Sequence, residues 1–326
     1  MKIFTERDCG LQHLRDKTIA IIGYGSQGRA QALNLRDSGL KVIVGLRPKS
    51  KSAKLARKDG LRVHSIPKAV QQADIVSFLF PDHLHREVFE SQIKPHLSPG
   101  KALVFAAGFS VHFKLVLPPR SVDVILAAPH STGSRMRELF PKKQGVPAFI
   151  GVAQNYSSKA WQLGLAYCLG IGCGYSVILK TTFKNETLGD LFGEQVVLCG
   201  GLSQLVLAGF ETLVKAGLPP ENAYLETLNQ LDMIVNLIKR KGIRGMYNEI
   251  SFLAAYGSFK NGVRVISSRT KREMSKILAE INSGRFASQV MHEKSRGMTN
   301  FNRFMTKNQN LLIDRTARRF RTALSL

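Results

Sequence analysis

Carboxylates are in short supply. The chain of 326 residues carries 23 Asp and Glu against 47 Lys and Arg, a formal net charge of +24 at pH 7. Such a surplus gains affinity for phosphate by releasing counterions, but the cations are dispersed, with local concentrations at Arg47 to Lys58, Lys239 to Arg244 and Arg315 to Arg321. No helix-turn-helix, RRM or zinc-finger pattern accompanies them. A basic surface is therefore expected, and nucleic acid is not the expected partner. Cysteine is sparse as well. Cys9, Cys168, Cys173 and Cys199 show no CxxC pairing, which argues against a disulfide framework or zinc ribbon in a chain long enough to bury a core. No apolar run approaches the roughly 18 residues that cross a bilayer. Met1 to Ala20 alternates charges with single apolar positions, unlike the core of a signal peptide. These absences lead us to expect a soluble, cytoplasmic protein without a membrane segment.

What is present reads as two ordinary globular domains, with 44% hydrophobic and 21% charged residues. Short apolar runs at Thr18-Ile22, Lys41-Leu46, Asp74-Phe80, Ala102-Ala106, Val122-Ala127, Ala148-Val152 and Ser176-Leu179 alternate with helix-like stretches. That alternation predicts an α/β domain, a parallel sheet covered on both faces. Beyond Lys180 the apolar residues repeat at helical spacing through Glu194-Ala216, Glu221-Ile238 and Glu273-Ser283, and Pro219-Pro220 marks a helix start. We therefore expect a Rossmann-like domain over 1–180 and an all-helical domain over 181–326.

Gly23, Gly25 and Gly28 follow directly on the apolar run Thr18-Ile22 and open a helix-forming stretch. In a dinucleotide site the first such glycine permits a tight turn, the second lets a pyrophosphate approach the backbone, and the third lets helix and strand pack closely. A purely structural glycine turn is the alternative. The next run, Lys41-Leu46, lacks the Asp or Glu that would bind the ribose hydroxyls of NAD. It ends instead in Arg47-Pro-Lys-Ser-Lys-Ser52. Charge-assisted bonds from Arg47, Ser50 and Ser52 would favour a 2′-phosphate and hence NADP(H); a solvated basic loop is the other reading. Farther on, Asp190/Glu194 and Glu226/Gln230 each place oxygen-bearing side chains four apart, on one helix face. Hard oxygen donors suit Mg²⁺, although such a pair taken alone is most often a solvated face.

The stretch Ile-Gly-Tyr-Gly-Ser-Gln-Gly with Gly-Leu-Arg-Pro-Lys-Ser-Lys-Ser after it resembles the NADPH-binding motif of ketol-acid reductoisomerases, short form. The likeness continues through Phe80-Pro81-Asp82, Ala107-Gly108-Phe109, Thr181-Thr-Phe183, Asp190-Leu-Phe-Gly-Glu-Gln195, Gly209-Phe-Glu-Thr-Leu213 and Ser251, over essentially the whole chain. It implies an enzyme of valine and isoleucine synthesis that rearranges 2-acetolactate or 2-aceto-2-hydroxybutyrate with two Mg²⁺ ions and reduces the product with NADPH. It further implies a knotted helical C-terminal domain and an intertwined homodimer, with Glu226 and Ser251 reaching the site from the partner subunit. Gly23, Tyr24, Gly25, Ser26, Gln27, Gly28, Arg47, Ser50, Ser52 and Asp82 would bind the cofactor. Asp190, Glu194, Glu226 and, as a weakened ligand, Gln230 would hold metal; Asp190, Glu194 and His130 would serve catalysis; Ser251 would bind the substrate carboxylate.

Departures from the family pattern cluster at the chemistry. Ala107 stands where the family has His, His130 where it has Lys, Gln230 where it has a metal-binding Glu, Glu249 where it has Ser, and Ala255 where it has Glu. Gln230 keeps an oxygen but loses a charge, which weakens the second metal unless Glu249 compensates. His130 could act as a cation or acid nearer neutrality than lysine. A reductase of another 2-oxo acid, and a catalytically silent paralogue that binds NADP(H) or nucleic acid, are the alternatives.

Overall fold

A computed structural model describes residues 2–323, and the chain divides into two compact units, Met1–Gly189 and Asp190–Leu326. The division falls past the boundary expected near residue 180, because the helix Phe183–Phe192 begins by burying Phe183 in the sheet's core.

The first unit is built on strands β1 (Ile3–Phe4), β2 (Thr18–Ile22), β3 (Lys41–Leu46), β4 (Arg62–Ser65), β5 (Ile75–Phe78), β6 (Ala102–Phe105), β7 (Asp123–Pro129), β8 (Ala148–Gln154) and β9 (Ile178–Lys180). Its helices are α1 (Ser26–Asp37), α2 (Ser52–Lys58), α3 (Ile66–Gln72), α4 (His85–Val88), α5 (Phe109–His112), α6 (Gly133–Leu139), α7 (Ala160–Gly170) and α8 (Phe183–Phe192). The sheet order is β1-β9-β8-β7-β6-β5-β2-β3-β4. Strands β4, β3, β2, β5, β6 and β7 run parallel, the doubly wound order in which the crevice between β2 and β5 receives ligands. The sheet is mixed rather than parallel throughout, since β8 pairs antiparallel with β7, and β1 antiparallel with β9. Central strands such as β2 and β5 are buried on both faces, hence their unbroken apolar sequence. Leu33, Leu35, Ile125 and Tyr167 belong to one core cluster; Phe78, Phe89, Phe105 and Phe183 belong to the other.

In the second unit α9 (Gly200–Lys215), α10 (Pro220–Tyr224), α11 (Leu231–Glu249), α12 (Phe252–Val265), α13 (Ser268–Asn282), α14 (Arg285–Ser295), α15 (Thr299–Lys307) and α16 (Leu312–Ala323) follow one another. Gly242, at φ 72°, breaks α11 with a kink that a residue with a Cβ would resist. The core is small: Val206, Phe210, Ala223 and Ile313. Two wide π turns interrupt the helices, Gly193–Leu198 between α8 and α9 and Leu225–Asn229 between α10 and α11. The first joins its neighbours into one run of 33 residues, Phe183–Lys215, long and apolar enough by length and composition to cross a bilayer. No such segment was expected, because Gly, Ser and Gln interrupt its apolar residues and hide the length of the continuous helix. One such helix is weak grounds for a membrane, but its burial of 17% leaves an apolar face uncovered within one copy.

Lys101, at the start of β6, shows how the sheet holds a neighbouring helix. Its buried ammonium donates to Val70 O at 3.0 Å, Gln71 O at 3.2 Å and Ala73 O, the carbonyls that end α3 and lack helical partners. Lys101→Met should leave those acceptors unpaired and lower stability by about 1–3 kcal/mol, read as a lower urea midpoint at unchanged slope.

Candidate functional site

The turn after β2 leaves no space for a side chain at two of its three glycines. Gly23 sits at φ +97°, and a Cβ there would lie 2.4 Å from Leu79 O; one on Gly28 would lie 2.5 Å from Gly23 O. A Cβ on Gly25 would meet nothing within 4 Å, so the open side of the turn is there, where α1 begins without a side-chain cap. A helix start of this kind, with outward N–H groups, is built for an anion.

The polar motif side chains are engaged elsewhere. Tyr24 is buried and donates its hydroxyl to Asp59 Oδ2 at 2.9 Å; burial and that bond hold the phenol above its usual pKa. Gln27 donates to Ser131 O at 2.7 Å and accepts from Gln31, which accepts in turn from Tyr167 Oη at 2.8 Å. The first bond ties α1 to the segment that follows β7, and the last ties it to α7. At Gly133 a Cβ would stand 2.1 Å from Ser26 O, so that segment rests directly on the glycine turn.

Beside the end of β3, a cleft of about 650 Å³ is lined by Arg47, Lys49, Ser50, Lys51, Lys54 and Arg57 together with His64, and no carboxylate lines it. Arg47 and Ser50 both line it. Ser52 is not among the lining residues; it forms the first turn of α2. His64 has its pKa lowered by burial and by Lys68 and Arg62.

Across the switch point, Asp82 follows Phe80-Pro81. Its Oδ1 is shielded from solvent and accepts no hydrogen bond, an acceptor fit for a ligand hydroxyl. His85, 3% exposed, is held between two loops: its Nε2 donates to Phe80 O at 2.9 Å and its Nδ1 is 2.8 Å from Ser110 Oγ. Burial lowers its pKa, partly offset by Asp82. A carbonyl can only accept, so Nε2 carries a proton, and in the neutral ring Ser110 donates to Nδ1. Ser110 lies next to Ala107-Gly108-Phe109, where Gly108 N donates to the buried Glu186 Oε2 at 2.6 Å. Glu186 precedes Asp190 by one turn of α8. His130 is exposed, its ring edge-on to Phe149 at 4.5 Å.

Asp190 is half-buried in the last turn of α8, and Glu194 is exposed in the π turn that follows. Glu226 is exposed in the second π turn and Gln230 closes it. Such turns concentrate at functional sites. Among the described residues no group of three or more His, Cys, Asp or Glu could hold a metal. Ser251 caps α12, accepting from Ala254 N at 3.2 Å. Glu249 is paired with Lys241, which holds its carboxyl below the usual pKa.

Two family models cover the chain: the NADPH-binding domain of acetohydroxy acid isomeroreductase over residues 13–176 and the C-terminal domain of ketol-acid reductoisomerase over 183–325. The chain belongs to the ketol-acid reductoisomerase family. It is 45% identical to the ketol-acid reductoisomerase (NADP(+)) of Petrotoga mobilis over 99% of this chain and 98% of that protein. An NADH-preferring ketol-acid reductoisomerase from an uncultured archean superposes with a TM-score of 0.95 at 39% identity, covering 99% of both chains. A semialdehyde dehydrogenase NAD-binding protein from Cupriavidus necator shares the fold alone, with a TM-score of 0.64 at 19% identity over 82% of this chain and 98% of that one.

Within this family member, sequence reading missed His85, Ser110, Glu186, Asp59 and Gly133. Glu186 alone carried a signal, standing four residues before Asp190 on the same helix; the others become visible only when loops meet. Because burial lowers the His85 pKa in the fold, its contribution to stability is full above its unfolded pKa near 6.5 and is lost as pH falls toward the folded pKa. His85→Gln, which keeps a donor and an acceptor, should flatten the loss of urea midpoint between about pH 7 and pH 5. An unchanged acid limb would show that His85 does not set it.

Proposed function

We propose that the chain is an NADPH-dependent ketol-acid reductoisomerase acting on 2-acetolactate and 2-aceto-2-hydroxybutyrate in the cytoplasm, yielding the 2,3-dihydroxy-3-methyl acids of valine and isoleucine synthesis. The observation that carries the cofactor choice is the cleft at the end of β3, five Lys and Arg side chains with no carboxylate, in a family that includes a member with NADH preference. The bound nicotinamide supplies hydride, and a bound divalent cation supplies Lewis acidity to the substrate oxygens.

The chain's own residues do the rest. The start of α1 holds the pyrophosphate at Gly25, while Arg47 and Ser50 hold the 2′-phosphate with their neighbours. Asp82 Oδ1 accepts a hydroxyl of the ligand. Asp190, Glu194 and Glu226 offer carboxylates for Mg²⁺, and Gln230 adds a neutral oxygen, a donor set chemically suited to a hard cation. Ser251 uses its cap bond only as an acceptor, leaving its hydroxyl hydrogen for the substrate carboxylate. His130 is the nearest replacement for the family's lysine as a proton donor.

A homodimer completes the site. One copy gathers no cluster of three ligands among the described residues, and α12 exposes Phe252 by 78%, Leu253 by 80% and Phe259 by 74%. Apolar exposure on that scale marks an interface. The other readings, reduction of another 2-oxo acid or a silent paralogue, have no observation in their favour.

With Mg²⁺, the protein should oxidise NADPH on adding 2-acetolactate and stop when the metal is chelated. Arg47→Asp should raise the KM for NADPH about tenfold or more while leaving that for NADH nearly unchanged. Absence of oxidation with both 2-acetolactate and its isomerised 3-hydroxy-2-oxo product would sink the assignment. The departures should impair isomerisation more than reduction, since alkyl migration needs two balanced cations and reduction one polarised carbonyl. Gln230→Glu combined with Ala107→His is accordingly expected to raise turnover of 2-acetolactate by a larger factor than turnover of the isomerised acid, and equal gains on both would refute the distinction.

A further inference from the structure

The helix that carries part of the basic cleft is poorly equipped to hold its own place. Lys54 and Arg57 of α2 line the cleft with Arg47 and Lys51. The helix has seven residues and no side-chain cap at its start, well short of what stands alone in water. It ends on Asp59, a negative charge at the helix end where the macrodipole disfavours one. Something other than helix stability accounts for that carboxylate.

Its partners all come from the glycine turn and the helix that follows it. Arg29 Nε donates to Asp59 Oδ2 at 2.7 Å and Arg29 Nη2 to Oδ1 at 3.1 Å, a two-pronged bond. Tyr24, between Gly23 and Gly25, donates to Oδ2 at 2.9 Å, and Arg36 donates to the Asp59 carbonyl. Two of these donors stand on α1 and the third within the glycine turn. One carboxylate thus joins the element that would receive the pyrophosphate to the element that would receive the 2′-phosphate. The Arg29 guanidinium holds its carboxyl below the usual range, so the joint persists across neutral pH.

We propose that Asp59 is a positioning residue for cofactor selection, fixing the α2 cations at the distance from the glycine turn that a 2′-phosphorylated dinucleotide requires. The inference rests on the reading of the chain as NADPH-dependent. A mere strut would make a different pattern: its loss would loosen the whole nucleotide site, and ligands with and without the 2′-phosphate would suffer alike. A positioning joint affects the first kind of ligand selectively.

The test is calorimetric titration of the full-length wild-type protein, Asp59→Asn and Arg29→Gln with 2′,5′-ADP and with 5′-AMP, followed by KM values for NADPH and NADH. Wild type is expected to bind 2′,5′-ADP more tightly. Each variant should lose about tenfold in affinity for 2′,5′-ADP with 5′-AMP affinity held, and the KM for NADPH should rise while that for NADH does not. Arg29 is 46% exposed, so its variant decides the question if Asp59→Asn does not fold. Equal losses on both fragments, or no loss on either, would overturn the proposal and leave the NADPH reading intact. A wild-type protein indifferent to the 2′-phosphate would overturn the NADPH reading itself, and the proposal with it.

Discussion

Everything in the first unit is arranged around a turn that has no room for a Cβ at Gly23 or Gly28. Gly23 and Gly28 bring the start of α1 within contact of the backbone beyond β2 and β5, and that closeness lets neighbouring segments reach the turn. Gln27 secures the segment after β7, Gly133 lets it rest on Ser26, and Tyr24 reaches the end of α2. Tyr24 and Gln27, two of the motif's polar side chains, thereby hold the backbone of the turn in place. The open side of the turn at Gly25 offers main-chain N–H groups, which cannot change rotamer.

Much of the fold could be read from the sequence. The spans of β2 and β3 were visible to the residue, because strands buried on both faces carry unbroken apolar runs. Strand β4 was not: Arg-Val-His-Ser is a half-exposed edge segment whose pattern resembles a loop. The reversed direction of β8 was equally hidden, since antiparallel and parallel strands in a two-sided core have the same composition. At the site, the glycine turn and Arg47 were legible through spacing and the missing acidic residue. The His85–Ser110 contact was not, because it joins residues from separate loops and neither has a pattern of its own.

The departures from the family pattern also look different in three dimensions. Ala107 precedes a glycine whose N–H is anchored on Glu186, so the backbone there is held whatever side chain Ala107 lacks. Gln230 ends the π turn Leu225–Asn229, and Glu249 is paired with Lys241. Scaffold and anchoring survive where functional groups have changed, which is the pattern of a retained site with altered chemistry rather than of a decaying fold.

The π turn Gly193–Leu198 also constrains chain length. A π turn is an α-helix that has absorbed one extra residue. Removing any single residue from it would let the helix close into regular α geometry and rotate everything beyond by about 100°. Val206 and Phe210, the buried residues of α9, pack with Ala223 and Ile313, all beyond the turn, so that cluster would stay together while the direction in which it leaves α8 changed. Substitutions in this segment would be felt locally, whereas a one-residue deletion would be felt across the whole second unit.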